Sequence, residues 1–242
     1  MSPPNCATNR LLTRLQIDNP DYPDLSDSMK RILIPILLML CLSPEAINLQ
    51  AKDKYTDPYK GYDETLYMDM DLEQNLLTPE VASGEHAAIS RHMKNVGQSL
   101  AKKGYTVDMM RDDEVVLVTI PTDDLFLPND TLLCPAAPAK FGPVIALLGD
   151  PEMYKVVYAV HTDNTGSAKY NSDLSHQRNN SIYDWLLTQV SEDLIIIPYE
   201  MGDMDPIEPN DSRNGRAANR RIEIYLIPGP KMITNAHKGV LR

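Results

Sequence analysis

Two oppositely charged residues are placed where they could bind one ligand together. Asp163 follows a continuous apolar run over residues 156–160, which is typical of a central strand covered on both faces. Open α/β sheets tend to bind ligands at the carboxyl end of such strands. The helix predicted over residues 171–190 returns from that loop, and Arg178 falls on its apolar stripe. This helix could therefore bring Arg178 close to Asp163.

A carboxylate beside a guanidinium forms a site with both signs of charge. An inward-facing arginine stays protonated, so it needs a carboxylate or an exit to solvent. Asp163 can accept hydrogen bonds from an ammonium, and Arg178 can hold a carboxylate through two parallel hydrogen bonds. The pair therefore suits a zwitterion. The alternative is a structural ion pair that closes the loop onto the helix.

The elements around this pair predict an α/β fold, an α+β sandwich. Apolar residues at three- and four-residue steps predict a helix over residues 85–103, and Gly104 ends it. The other predicted elements are strands at 105–109 and 114–120 in a hairpin, a helix within 135–148, a strand at 156–160, a helix at 171–190 and strands at 194–198 and 222–227. The order βαβαββ predicts a mixed sheet covered by helices on one face.

Three motifs together carry a family resemblance. They are residues 161–166 (HTDNTG), residues 170–178 with Tyr-Asn, Leu-Ser and Arg, and residues 215–223 (GRAANRRIE). From about Asp108 to Pro228, the chain resembles the OmpA-like domain, which also occurs in peptidoglycan-associated lipoprotein and in flagellar stator proteins. Asp163 and Arg178 are fifteen positions apart, as is the ligand-binding pair of that family.

The resemblance implies noncatalytic binding of peptidoglycan through the meso-diaminopimelate of its stem peptide. Asp163 would take the ammonium and Arg178 the carboxylate. The residues that would shape the pocket are Thr162, Asn164, Asn171 and Leu174. The protein would then tether the outer membrane or an envelope complex to the cell wall, with an outer-membrane protein as a further partner and no cofactor.

Two departures from the family pattern affect the pocket. The family has a Phe-Asp-rich opening strand as one wall, whereas residues 125–130 read LFLPND and only Phe126 fits. Asn179 stands where the family has alanine after the binding arginine. If Leu127 or Asn179 filled the pocket, the alternative function would be a protein-interaction or assembly module without a glycan ligand. We assign the arginines of the third motif, Arg216, Arg220 and Arg221, to the fold and not to the ligand.

Charge and residue types exclude several other functions. A net charge of −11 and a pI near 4.8 argue against binding to nucleic acid or to an anionic lipid surface. No second histidine has ligand spacing around His161, which argues against a metal site. A triad could be assembled from Ser167 and His161, but no GxSxG elbow supports it. We therefore predict that the protein is not an enzyme. A third interpretation, after peptidoglycan binding and protein assembly, is a cell-wall hydrolase, which would release soluble muropeptides.

The amino-terminal part has the pattern of an exported protein. Two basic residues followed by an apolar run over 32–42 predict a secretory signal peptide at 29–51, and hence a periplasmic location. Residues 1–28 then form a disordered extension or result from a start codon assigned too early. Cys41 suggests a lipid anchor, but the bulky Leu40 before it disfavours one.

The rest of the chain divides into four parts by its composition. Residues 52–84, rich in Tyr and Asp, predict an acidic flexible tether. Residues 85–107 form a helix and linker, 108–230 the OmpA-like domain, and 231–242 a carboxy-terminal tail.

Overall fold

The computed structural model describes residues 55–61 and 63–241. The predictions for the extension at 1–28, for the signal peptide at 29–51 and for lipidation at Cys41 lie outside these described residues. Within the described part of the chain, no helix has both the length and the apolarity that a membrane span requires.

Seven α-helices and five strands form the described part of the chain. The helices are α1 (Glu64–Asp69), α2 (Leu72–Leu77), α3 (Ser83–Lys102), α4 (Ala137–Ile145), α5 (Ala168–Leu187), α6 (Arg213–Asn219) and α7 (Pro230–His237). The strands are β1 (Thr106–Met110), β2 (Val115–Pro121), β3 (Tyr154–His161), β4 (Ile196–Gly202) and β5 (Arg221–Pro228). Helix α5 begins before the predicted residue 171 because the Ser167 side chain caps it, accepting a hydrogen bond from the Tyr170 amide.

The five strands form one mixed sheet in the order β1-β2-β5-β3-β4. All neighbours are antiparallel except β3 and β4, which are parallel. The two central strands, β3 and β5, are buried along their whole length, as a strand covered on both faces must be. The predicted fold class is therefore confirmed.

Helices α3, α4 and α5 pack on the same face of the sheet. Phe141 and Val144 of α4 and Ile182 of α5 meet the β3 and β5 side chains that include Tyr158 and Ile224. Helix α3 approaches β1 and β2 closely at Gly97, where a Cβ atom would lie 2.9 Å from the Met109 sulfur and 3.4 Å from a Val107 methyl. Glycine at this position therefore sets the distance between α3 and the hairpin.

The opposite face of the sheet is covered by residues 55–80, near the amino end of β3. Lys155 points to this face, because side chains alternate along a strand and Tyr158 points to the other. Its fully buried Nζ donates hydrogen bonds to the carbonyl oxygens of Asn75 (2.7 Å) and Thr78 (2.5 Å) and lies 4.8 Å from the ring centre of Tyr67. Burial lowers the pKa of this lysine to about 7.

A second cation, Arg111, also contacts the carboxyl end of α2. Its Nη1 and Nη2 donate to the carbonyl oxygens of Leu76 (2.9 Å) and Pro79 (2.7 Å). The last carbonyl groups of a helix are unpaired and carry partial negative charge, so cations stabilise this end. Within the tether predicted over 52–84, the described residues 55–61 and 63–80 therefore pack against the sheet. Polar contacts to distant residues hold them, and such contacts leave no hydrophobic periodicity in the sequence.

The carboxy-terminal tail predicted over 231–242 is also corrected, because most of it forms helix α7. Pro230 stands at the first turn, where its fixed φ suits a helix. Met232, Ile233 and Ala236 are buried on one side of α7, and His237 Nδ1 lies 2.7 Å from Glu85 Oε1 of α3. The helix therefore extends the core.

Asn75→Ala should release the segment that covers the second face of the sheet. The buried Asn75 side chain donates to the Tyr67 carbonyl (2.7 Å) and the Tyr199 hydroxyl (2.6 Å), and its loss leaves buried acceptors unpaired. We expect the free energy of unfolding to fall by about 2–3 kcal/mol in urea titrations, with faster proteolysis within 55–80. Asn180→Ala is the matched control, since Asn180 is exposed. Equal behaviour of both variants would contradict the role of Asn75.

Candidate functional site

The start of β5 lies between the ends of two neighbouring strands. Arg221, its first residue, pairs with Pro121, the last residue of β2. On the other side, Ile222 pairs with Val160, next to the last residue of β3. The residue that precedes β5, Arg220, therefore lies between the loops that leave β2 and β3.

Arg220 joins two carboxylates, one from each loop. Its Nε and Nη2 donate to the two carboxylate oxygens of Asp123 at 2.9 and 2.6 Å, and its Nη1 donates to Oδ2 of Asp163 at 2.7 Å. The other oxygen of Asp163 accepts a hydrogen bond from the Thr165 amide at 2.8 Å. The Asp163 side chain is 11% exposed and that of Asp123 is 58% exposed.

These contacts keep the site charged. Burial by itself would raise the pKa of Asp163, but the hydrogen bonds from Thr165 and Arg220 hold it below its usual value. The hydrogen bonds from Arg220 also lower the pKa of Asp123. In return, the two carboxylates raise the pKa of Arg220.

Arg178 lies beside this group but is not paired with Asp163. Only 4% of the residue is exposed, its Nε donates to the Asp130 carbonyl at 2.9 Å, and its guanidinium carbon lies 4.9 Å from the ring centre of Phe126. Burial lowers its pKa, and the charge of Asp123 opposes that shift. Among the described residues, Nη1 and Nη2 of Arg178 have no hydrogen-bond partner. The simple ion pair considered from the sequence is therefore absent from the described contacts, and Asp163 pairs with Arg220 instead.

Residues 125–130 form a wall beside Arg178 despite their departure from the family pattern. Phe126 is buried under the guanidinium, and the Asp130 backbone accepts its Nε hydrogen bond. Asn129 has a left-handed backbone, with φ of 60°, and its Oδ1 lies 3.3 Å from the hydroxyl of Tyr170 on α5. Leu127 is 62% exposed, so it does not fill the site.

Thr162 and Asn171 shape the loop that carries Asp163. Thr162 is buried, and its amide donates to the Gly202 carbonyl at 2.7 Å, which ties the loop to β4. Asn171 is buried in the first turn of α5, where its Nδ2 donates to the Gly166 carbonyl at 3.5 Å. A Cβ at Gly166 would lie 2.7 Å from Asn171 Oδ1, so the loop requires glycine there.

The other two predicted pocket residues are less constrained. Asn164 is exposed and Leu174 is half-buried, and neither makes a hydrogen bond or ion pair to Asp163 or Arg178 in the described part of the chain. Asn179 is buried, and its carbonyl accepts a hydrogen bond at 3.2 Å from Tyr158, a residue of the face packed against α4 and α5. This contact ties Asn179 to the sheet.

The three arginines of the third motif have different surroundings. Arg216 donates to the Asn210 carbonyl at 2.9 Å, and the buried Arg221 donates to Oε1 of Glu223 at 2.7 Å, so both contact the fold. Arg220 also pairs with acids, as expected for all three, but its partners Asp123 and Asp163 belong to the candidate site. The sequence contains no signal for this difference, because it does not reveal that β5 lies between β2 and β3.

Comparisons with known proteins show which family this region matches. A sequence profile of the OmpA family matches residues 125–220. These residues form an OmpA family domain. The chain is 30% identical over 126 residues to the "Probable lipoprotein YiaD" of Escherichia coli (strain K12), covering 52% of this chain and 58% of YiaD. It is 41% identical over 66 residues to the peptidoglycan-binding protein ArfA of Mycobacterium tuberculosis (strain ATCC 25618 / H37Rv), covering 27% of this chain and 20% of ArfA.

A solved structure supports the fold of the OmpA family domain and its flanking elements. The crystal structure of a MotB-like protein from Desulfovibrio vulgaris matches 59% of this chain and 96% of its own, with a TM-score of 0.52 and 22% identity. Identity at this level shows the fold alone. No group of three or more His, Cys, Asp or Glu residues in the described part of the chain is arranged to hold a metal ion.

Glu223→Gln should remove a pH-dependent contribution to stability. Burial would raise the pKa of Glu223, but contacts with His161, Arg221 and Tyr225 lower it from 4.5 to about 2. The carboxylate therefore stabilises the fold above pH 4.5, and this contribution is lost as the pH falls towards 2. We expect the free energy of unfolding to drop by roughly 3 kcal/mol at neutral pH.

Urea unfolding of wild type and variant between about pH 5 and about pH 3 checks this expectation. The difference between the two proteins should shrink as the pH falls. The control is Glu192→Gln, which removes an exposed carboxylate. A difference that does not change with pH would contradict the lowered pKa of Glu223.

Proposed function

We propose that the OmpA family domain binds peptidoglycan noncovalently and holds an envelope component to the cell wall. The main observation behind this proposal is that Arg178 is buried and, in the described part of the chain, has no acid paired to it. Only 4% of this residue is exposed, yet its two terminal nitrogens have no hydrogen-bond partner among the described residues. A buried charge of this kind is costly unless an acid pairs with it. A ligand carboxylate would supply that acid with two parallel hydrogen bonds.

The ligand group in this proposal is the zwitterionic end of diaminopimelate in the stem peptide. Its carboxylate meets Arg178, and its ammonium meets the loop that carries Asp163. Thr162 and Asn171 fix this loop, and Asn164 and Leu174 are the further pocket residues in this proposal. The OmpA family match and the similarity to a protein named as peptidoglycan-binding support this assignment.

The proposed location is the periplasm, in association with the outer membrane or the cell wall. The matched relatives include proteins named as a lipoprotein and as outer membrane protein A of Bordetella avium. An outer-membrane protein is the proposed second partner, and the activity is binding without catalysis. Leu127 is exposed and does not fill the site, which favours ligand binding over a pure assembly module.

Arg178→Ala should abolish most binding to peptidoglycan. The change removes two charge-assisted hydrogen bonds to the ligand carboxylate, each worth about 1.5–3 kcal/mol, so affinity should fall at least about tenfold. Sedimentation with purified peptidoglycan measures this loss. Arg213→Ala removes an equal charge from an exposed position on α6 and should sediment like wild type. Undiminished sedimentation of Arg178→Ala would rule out the site.

Replacement of diaminopimelate by lysine in peptidoglycan should weaken binding in a way that depends on Arg178. Lysine keeps the side-chain ammonium but lacks the second carboxylate, so wild type should bind lysine-containing peptidoglycan about tenfold less tightly. In Arg178→Ala the preference should disappear, because the group that recognises the carboxylate is absent. Equal wild-type binding to both polymers would contradict the proposed ligand.

A further inference from the structure

We propose that Asp123 is a second carboxylate that receives the ligand ammonium together with Asp163. This inference rests on the proposed function and deepens it. Asp123 lies outside the three motifs that carry the family resemblance, and it comes close to Asp163 only because β2 and β3 flank the same strand.

Asp163 by itself offers little to an incoming ammonium. Its side chain is only 11% exposed, so little of its carboxylate can be reached from solvent. A cation that met Asp163 alone would therefore gain weak electrostatic attraction.

Asp123 is more accessible to a ligand than Asp163. Its side chain is 58% exposed, and Arg220 occupies one hydrogen-bonding position on each of its oxygens. An ionised carboxylate has about four such positions, so others are left for a ligand. The charge of Asp123 also raises the pKa of Arg178 against the effect of burial, so the two side chains belong to one charged group.

Arg220 sets the separation of the two acids by holding one with each side of its guanidinium. Asp123, Asp163, Arg178 and Arg220 together carry two negative and two positive charges. A zwitterion leaves this balance unchanged, with its ammonium facing the two acids and its carboxylate facing Arg178. Electrostatic balance therefore favours a ligand that carries both charges over one that carries a single charge.

The adjacent residue provides a matched control. Asp124 is also a partly exposed aspartate, with 42% of its side chain accessible, but it pairs with Lys140 at 2.9 Å and has no contact with Arg220. Asp123→Asn and Asp124→Asn remove the same charge one position apart. Only the first should affect recognition of an ammonium.

The test is calorimetric titration of the full chain with two soluble stem tripeptides that end in meso-diaminopimelate. One has the free side-chain amine, and in the other that amine is acetylated. We expect Asp123→Asn to bind the free-amine peptide about tenfold more weakly and the acetylated peptide with less than about a twofold change. Asp124→Asn should match wild type on both peptides.

A second comparison separates direct contact from action through Asp163. In a chain that already carries Asp163→Asn, addition of Asp123→Asn should weaken binding to the free-amine peptide further, because Asp123 itself contacts the ammonium. The two losses need not add, since both acids share Arg220. If the second change has no effect in that background, Asp123 acts only through its neighbour and the inference is wrong.

Three further outcomes would contradict the role of Asp123. An equal loss on both peptides would show a general structural effect of Asp123→Asn and overturn the inference, as would no loss on either. In those cases wild type still binds the free-amine peptide, and the proposed function stands. If wild type binds neither the peptides nor peptidoglycan, the proposed function fails and this inference fails with it.

Discussion

The antiparallel pairing of β5 with both β2 and β3 is the constraint on which the site depends. This pairing puts the start of one strand between the ends of two others. Arg220, directly before β5, thereby reaches Asp123 and Asp163, each two residues beyond the end of its strand. A shift of the register by one residue would turn every side chain of β5 to the opposite face and separate these charges. The core of the sheet and the binding site are thus fixed by the same hydrogen bonds.

Two adjacent arginines at the start of β5 have different roles, one in the fold and one in the candidate site. Arg221 is the first strand residue and shares a face with Glu223 and Tyr225, because side chains two positions apart point the same way. Those three form a buried hydrogen-bonded cluster. Arg220 stands one position earlier and extends towards the loops, where it holds two acids of different exposure. Identical side chains thus have different roles because of their position on the strand.

The segment over residues 55–80 lies at the other end of the sheet. Lys155, which it covers, is near the start of β3, whereas Asp163 lies beyond the end of the same strand. An eight-residue strand is about 26 Å long, so the chain joins the domain far from the ligand site. In the proposed tether, this separation would keep the amino-terminal side of the domain away from the approaching peptidoglycan.

The sequence by itself determined the fold class, most helices and strands, the loop with Asp163 and the helix with Arg178, because hydrophobic periodicity and short motifs record local structure. Only the tertiary structure decided that Arg220 bridges Asp123 and Asp163, which are 97 and 57 positions away from it. It also decided that residues 55–80 pack against the sheet. Both outcomes depend on hydrogen bonds and ion pairs between distant polar side chains. Such contacts follow from strand order and register, which no local pattern of residue types specifies.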